Sequence, residues 1–324
     1  MKAVVCEAFG GPEVLAYHDV ADPPPPGAGE IQVRIEARGV QYVDVLMLAG
    51  QYQFRPEPPF IPGSEAAGVV VSVGAGVTEF RVGDQVMSRH SLGACAERGN
   101  AKAALCDLVP AGMSLEAAGV FRGAYSTAYH ALLQRGRMQP GEWVLVHGAA
   151  GGIGIAAIQV AKLLGAKVIA TASTDDKRSA CLEEGADHAI GYQGGFIDRV
   201  KDFTGGRGVD IVYDPIGAQV TDESLRCLAW CGRLLILGFL GGGPTNIRSN
   251  YLLIKGIDTI GVRIGGLNEA NPELAIANMK ALIELAAQGK LRPRISHRFP
   301  LAQAAEAMQA VIDRKVIGKA VLIG

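Results

Sequence analysis

Gly148 to Gly154 places four glycines in seven residues, within the stretch HGAAGGIG that begins at His147. Without Cβ atoms at Gly151 and Gly152 a ligand can come against the backbone, and Gly154 lets a following helix pack closely on a preceding strand. A helix N-terminus over Ala150, Gly151, Gly152, Ile153 and Gly154 offers unpaired N–H groups and a partial positive charge, which suit a pyrophosphate. Ala149 replaces the first glycine of the usual turn. Sites that select NAD carry an acidic residue about twenty residues further on, where it accepts from the ribose 2′-hydroxyl. Eighteen residues past Gly154 this chain has Ala172, followed by Ser173 and then by Lys177 and Arg178. The repelling carboxylate is missing and donors stand in its place, so the site is expected to take a dinucleotide with a 2′-phosphate. Lys177 is otherwise a solvated lysine on a helix surface. Asp175 and Asp176 fall in the next turn and first helical positions, where acidic residues serve as caps.

Such a turn works only between a strand and a helix. Trp143–Val146 is an apolar, β-branched run, 153–164 is apolar on most faces and stops at Gly165, and Val168–Ala170 is β-branched again. Together they make a βαβ crossover of about thirty residues, the length at which parallel strands are joined. Strands are predicted near 143–146, 168–171, 188–190, 209–213, 233–237 and 257–262, enough for two mononucleotide-binding halves. Before them, the first 122 residues are short β-type runs broken by Gly and Pro, at 2–6, 30–37, 65–73 and 84–87. After them, 272–288 and 301–313 have helical periodicity and 320–323 is a closing strand.

Composition limits the alternatives. Of 324 residues 49% are hydrophobic, ample for a large core and for two domains. No stretch reaches about 18 uninterrupted apolar residues, and the start MKAVVCEAFGG lacks the form of a signal peptide, so a soluble cytoplasmic protein with no membrane partner is expected. A net charge of −1 with dispersed Lys and Arg gives no basic face for nucleic acid. Six cysteines form no CxxC pair and read as reduced, mostly buried thiols, with Cys227 and Cys231 four apart on an expected helix. Six histidines show neither HxxxH nor HExxH spacing.

GVQYVDVLMLAGQY at 39–52, PFIPGSEAAGVVVSVGAGV at 59–77, FRVGDQV at 80–86, STAYHAL at 126–132, the glycine turn, TASTDDK at 171–177, VDIVYDPIG at 209–217 and the final IGKAVLIG share their order and spacing with one superfamily. Over essentially its whole length the chain resembles the medium-chain dehydrogenase/reductases, and within them the zinc-free NADPH:quinone oxidoreductases of the ζ-crystallin type. The resemblance implies an α/β chain. A GroES-like, partly open β-barrel catalytic domain would be made from 1–122 plus 265–324, and a Rossmann domain with a doubly wound parallel sheet would be inserted at 123–264. The active-site cleft would lie between them.

Zinc-containing members of the superfamily have Cys where this chain has Gln41, His where it has Ser64, and usually Cys near Gly123. Neither a thiolate nor an imidazole is available at these positions, so no zinc is expected. Asp44 and Glu65 persist from the zinc pattern and are read as structural. Alcohol oxidation needs a Lewis acid or strong base, whereas an electron-poor quinone or enone needs hydride delivery, orientation and at most one proton donor. Quinone reduction with NADPH is therefore expected, with an enone or enoyl thioester reductase as the alternative; a non-enzymatic crystallin-like or nucleic-acid-binding role ranks below both. Gln41 stands where the family has Asn near the nicotinamide and keeps an amide on a longer arm. Tyr52 matches the proton donor of the similar enoyl thioester reductases, and equally suits a cleft wall that stacks on a flat substrate. Tyr42 is expected to line the same cleft. The resemblance further implies cofactor contacts from Thr127, Ser173, Lys177, Tyr192, Phe239, Leu240 and Val262. It also implies a homodimer paired through the edge strand near 256–263.

Overall fold

Trp143–Val146 forms a central strand of a six-stranded, all-parallel sheet, and its apolar run is explained by burial on both faces. Across the sheet the strands are His188–Ile190, Lys167–Thr171, Trp143–Val146, Val209–Asp214, Leu228–Ile236 and Asp258–Gly261. Numbered along the chain, that order is 3-2-1-4-5-6, the doubly wound arrangement whose direction reverses between the first and fourth strands. Register pairs Leu145 with Ile169 on one side and with Val212 on the other, and all three are fully buried. Each such side chain contributes about 1.5–3 kcal/mol by leaving water.

The computed structural model describes every residue from Met1 to Gly324 and divides into two compact units, Met1–Gly123 with Arg292–Gly324, and Ala124–Leu291. The second unit therefore keeps the helix Pro272–Ala287, which the sequence reading gives to the other domain. The reason is an amide pair that periodicity does not reveal. Buried Asn278 exchanges hydrogen bonds of 3.0 and 3.2 Å with Gln134, and Leu282 of the same helix is fully buried. Another departure lies in the fifth strand, which starts at Leu228, before a bulge. Cys231 sits in that bulge with φ 56° and is exposed, so it shares no helix with Cys227, the last residue of the helix Ala218–Cys227.

In the first unit both chain ends feed one sheet, ordered Ile295–Pro300, Lys319–Ile323, Glu30–Val40, Glu65–Val73, Gln85–Arg89 and Cys106–Leu108. The long strand Glu30–Val40 pairs with Glu65–Val73 along one edge and with Arg98–Lys102 and Lys319–Ile323 along the other. Only Ile295–Pro300 and Lys319–Ile323 run parallel. Ile31, Val33, Val70 and Val86 fill one core, while Val4, Leu48, Leu301, Met308 and Leu322 fill another. No helix in the chain is long and apolar enough to cross a membrane.

Candidate active site

The strand Trp143–Val146 delivers His147 and Gly148 at its carboxyl end, and the helix Gly152–Leu163 begins after Gly151. Gly148 has φ 56°, and a Cβ there would lie 3.0 Å from Ile216 Cδ1, in the loop after the fourth strand. A Cβ on Gly154 would meet Ala149 Cα, Ala149 O and Gly148 O, all at 2.6 Å. Gly154 is thus fixed by packing. A Cβ on Gly151 would meet only Gly148 O, at 3.4 Å, so that face of the turn is open to a ligand. The first bond of the helix runs from Ile155 N–H to Gly151 O at 2.8 Å, which leaves the N–H groups of Gly152, Ile153 and Gly154 ahead of it for an anion. The turn also lies at the switch point of the sheet, where ligands of this architecture bind. A pyrophosphate fits it.

Its surroundings come from the carboxyl ends of the other strands. Asp214, buried at the end of the fourth strand, accepts from Ile216 N–H (2.7 Å), Gly217 N–H (3.1 Å) and Thr221 Oγ1 (2.5 Å), which fixes the facing loop. Leu240 N–H donates to Pro215 O at 3.1 Å, and a Cβ on Gly217 would lie 3.0 Å from Phe239 Cδ1, so the Leu240 backbone and the Phe239 ring border that loop. Val262 follows the sixth strand and is buried. Thr127 lies in the helix Arg122–Tyr129, half-buried, and that helix continues as a π-helix over His130–Arg135.

At the end of the second strand Ala172 is buried, Ser173 is exposed, and Thr174 caps the helix Asp175–Glu183 by accepting from Lys177 N–H. Lys177 is half-buried in the first turn of that helix. Next to it, Arg178 donates from Nη1 to Ala172 O at 3.2 Å and pairs with Asp175. The sequence places Arg178 among the donors that stand where an acidic residue is missing. Its signal was present, a second cation next to Lys177, but nothing in the sequence shows a guanidinium folded back onto residue 172. Tyr192 turns inward, its hydroxyl accepting Gly148 N–H at 2.9 Å and lying 2.8 Å from Thr171 Oγ1.

In the first unit Gln41 precedes the helix Tyr42–Leu48, and its N–H donates to Asp44 Oδ2 at 2.9 Å. Gln41 Nε2 lies 3.4 Å from Ser64 Oγ, and a Cβ on Gly123 would lie 3.1 Å from that Nε2. Gln41, Ser64 and Gly123 thus converge, offering a carboxamide, a hydroxyl and no side chain, a set without the thiolates and imidazole of a zinc centre. No group of three or more His, Cys, Asp or Glu in the chain is arranged to hold a metal ion. Beneath them Glu65 accepts Gly123 N–H at 2.8 Å and pairs with Lys319 at 3.1 Å. Burial pushes the Asp44 carboxyl up to about 7; the Gln41 N–H and Lys319 oppose that shift and Glu65 adds to it. Tyr42 is 39% exposed at the start of its helix. Tyr52 is half-buried in the loop beyond that helix, and its hydroxyl makes no hydrogen bond within the protein.

Comparison with known proteins agrees with this description. The alcohol dehydrogenase GroES-like domain family matches residues 27–135 and the zinc-binding dehydrogenase family matches residues 152–281, a range that contains none of Gln41, Ser64 and Gly123. Quinone oxidoreductase-like protein 2 of Rattus norvegicus is 36% identical over 99% of this chain and 91% of its own length. The quinone oxidoreductase of Sus scrofa is 32% identical over 100% of this chain and 98% of its own. The crystal structure of Escherichia coli quinone oxidoreductase complexed with NADPH superposes with a TM-score of 0.92 at 32% identity, covering all of both chains. The chain belongs to the medium-chain dehydrogenase/reductase superfamily and, within it, to the quinone oxidoreductase family.

Proposed function

We propose that this protein reduces quinones or related electron-poor carbonyl compounds with NADPH, without zinc. The observation that carries the reading is an open glycine turn at the switch point of the sheet, with Ala172 in the acidic position and Lys177 and Arg178 beside it. The bound dinucleotide supplies the hydride. The N–H groups of Gly152, Ile153 and Gly154 hold the pyrophosphate, and Lys177 balances the 2′-phosphate from the first turn of its helix. Phe239, Leu240, Val262 and Thr127 wall the cofactor and keep water from it. Gln41 donates from its carboxamide to the substrate oxygen and carries no charge to be neutralised. Tyr42 lines the substrate side.

A second reading, reduction of an enone or enoyl thioester, is favoured by Tyr52, whose hydroxyl has no protein partner and is therefore free to protonate the substrate carbon. NADPH consumption measured with 9,10-phenanthrenequinone, 1,4-benzoquinone, trans-2-hexenal and crotonyl-CoA separates the two. No turnover with any of them overturns both. Activity with the preferred acceptor should survive exhaustive chelation, and one tightly bound zinc per chain contradicts the zinc-free reading. We also infer a homodimer in the cytoplasm. The strand Asp258–Gly261 is an exposed sheet edge, and Leu253 and Ile254 on the preceding helix are 83% and 66% exposed. Sedimentation as a monomer at micromolar concentration rules the dimer out.

A further inference from the structure

At the amino ends of the fourth and fifth parallel strands, the opposite end of the sheet from the glycine turn, the surface holds a hollow of about 490 Å³. That is the size of a small-ligand pocket. Its walls carry Lys201, Arg207, Arg226 and Lys255 together with Trp230 and Tyr251, and no acidic residue. Cations that lie dispersed along the sequence are gathered here by the fold. Glu223, one turn before Cys227, is held by Gln219 at 2.6 Å and is not among the walls.

Local structure accounts for part of this charge. Lys201, Arg226 and Lys255 stand in the last turns of the helices Ile197–Phe203, Ala218–Cys227 and Ser249–Lys255, whose carbonyl ends each carry about half a negative charge. Lys255 Nζ serves such an end directly, donating to Leu225 O and Arg226 O at 3.2 Å and to Leu228 O at 2.6 Å. Asp210 neutralises Arg207 through two bonds of 2.7 Å. Three helix ends and one carboxylate, set against four cations, leave an excess of roughly one to two positive charges. Lys201 and Arg226 carry it, since neither side chain has a hydrogen bond or ion pair within the protein. The cations also crowd one another. Burial and the neighbouring Lys201 push the Lys255 ammonium below its ordinary range. Burial, helped by Glu223, pushes the Cys227 thiol up to about 12 against the pull of Lys255, Lys201 and Arg226, so three positive charges act at one point. Beside them Trp230 is 71% exposed on the strand Leu228–Ile236. The Arg248 guanidinium covers the Tyr251 ring, 5.0 Å from its centroid, whereas the indole stacks on no ring or cation of the chain.

We propose that this hollow is a second anion site, which takes a nucleoside polyphosphate, with Lys201 and Arg226 on its phosphates and Trp230 stacked on its base. An ammonium and a guanidinium suit phosphate oxygens, and an exposed aromatic face is a platform for any base. Inorganic phosphate alone would leave the indole and most of the volume unused. A nucleic acid needs charge continued along a groove, and here the unneutralised cations are confined to one hollow.

Calorimetric titration of the full chain, kept saturated with NADPH, tests it with three probes: ATP, pyrophosphate and a single-stranded oligonucleotide of about eight nucleotides. ATP should bind once per chain without displacing NADPH. Lys201→Ala and Arg226→Ala should each weaken ATP and pyrophosphate by about tenfold to a hundredfold, the scale of one charge-assisted contact. Trp230→Ala should weaken ATP by about tenfold or more and change pyrophosphate by less than about twofold, because only the base meets the indole. Melting temperatures of the three variants within a few degrees of wild type assign the losses to the site. Absence of ATP binding, ATP binding that the three variants leave untouched, or ATP that displaces NADPH overturns the proposal. An oligonucleotide that binds where ATP does not assigns the surface to nucleic acid and overturns it equally. If the chain binds no NADPH the test stands unchanged, because the variants locate the ATP without reference to the cofactor.

Discussion

Lys319 Nζ lies 3.1 Å from Glu65 Oε1, an ion pair between side chains that are 10% and 4% exposed. It joins the last strand of the chain to the first residue of the strand Glu65–Val73, directly beneath the convergence of Gln41, Ser64 and Gly123. Asp44 is buried close to this pair, where Lys319 favours its charged form and Glu65 opposes it.

The first prediction follows from the burial of Asp44. The Asp44 carboxyl is pushed up to about 7 in the folded chain, against 3.8 for an unperturbed aspartate. Between those values the folded state holds a proton that the unfolded state has lost. The contribution of this group is therefore present in full below about pH 4 and is lost as pH rises through about 7. Asp44→Asn, which keeps an acceptor for Gln41 N–H, should gain stability relative to wild type across that window, by on the order of a few kcal/mol at the plateau. Urea unfolding of both proteins at several pH values measures it. A difference that stays flat from pH 4 to 9 would show that Asp44 remains ionised throughout. Lys319→Met should cost about 3–5 kcal/mol, because Glu65 is left buried without its counter-ion, held only by the Gly123 N–H.

Cofactor choice gives the second prediction. Lys177→Ala should raise the NADPH Michaelis constant by about one to two orders of magnitude and leave NADH nearly unchanged, the scale of one charge-assisted contact. Ala172→Asp should reverse the preference by restoring a 2′-hydroxyl acceptor and repelling the phosphate. Ala172 is buried, so the new carboxylate must find a cation, and Arg178, already hydrogen-bonded to Ala172 O, supplies one. Values of kcat/KM for both cofactors decide the matter. Equal losses with Lys177→Ala would remove its phosphate role.

Much of this arrangement is legible before any coordinates. The strand, glycine turn and helix from 143 to 165 declare themselves through β-branching, missing side chains and a terminal glycine, because each is a local rule. What escapes the sequence is non-local. Gln41, Ser64, Glu65, Gly123 and Lys319 come from four segments that no periodicity links. The Asn278–Gln134 amide pair that keeps the helix Pro272–Ala287 with the parallel sheet is of the same kind. So is the inward turn of Tyr192, since nothing in a row of residues says which way a hydroxyl points. The short strands Leu15–Asp19, Arg98–Lys102 and Cys106–Leu108 are missed because they are polar, brief and set by pairing.

The third prediction separates two glycines of the turn. Gly154→Ala places a Cβ within 2.6 Å of three backbone atoms that cannot swing away, so the melting temperature should fall by several degrees and binding of both cofactors should fall with it. Gly151→Ala meets only Gly148 O at 3.4 Å and should leave the melting temperature within about a degree or two. It should nevertheless weaken NADPH and NADH alike, because the added methyl group occupies the face offered to the pyrophosphate. If Gly151→Ala binds both cofactors normally, the ligand lies elsewhere on the turn.

The final prediction concerns Tyr52, where the two substrate readings diverge. Its hydroxyl has no partner within the protein, and Gly50, with φ 64°, turns the chain immediately before it. After hydride addition to an enone, a carbon atom must be protonated, which water does slowly without a positioned donor. A reduced quinone collects its protons on oxygen, where exchange with water is fast. Tyr52→Phe should therefore lower turnover by about two orders of magnitude or more with trans-2-hexenal, and by much less with 9,10-phenanthrenequinone, while NADPH affinity barely moves. Equal small effects on both acceptors would assign Tyr52 to stacking on the substrate. Equal large effects would instead mean that it polarises a carbonyl oxygen common to both.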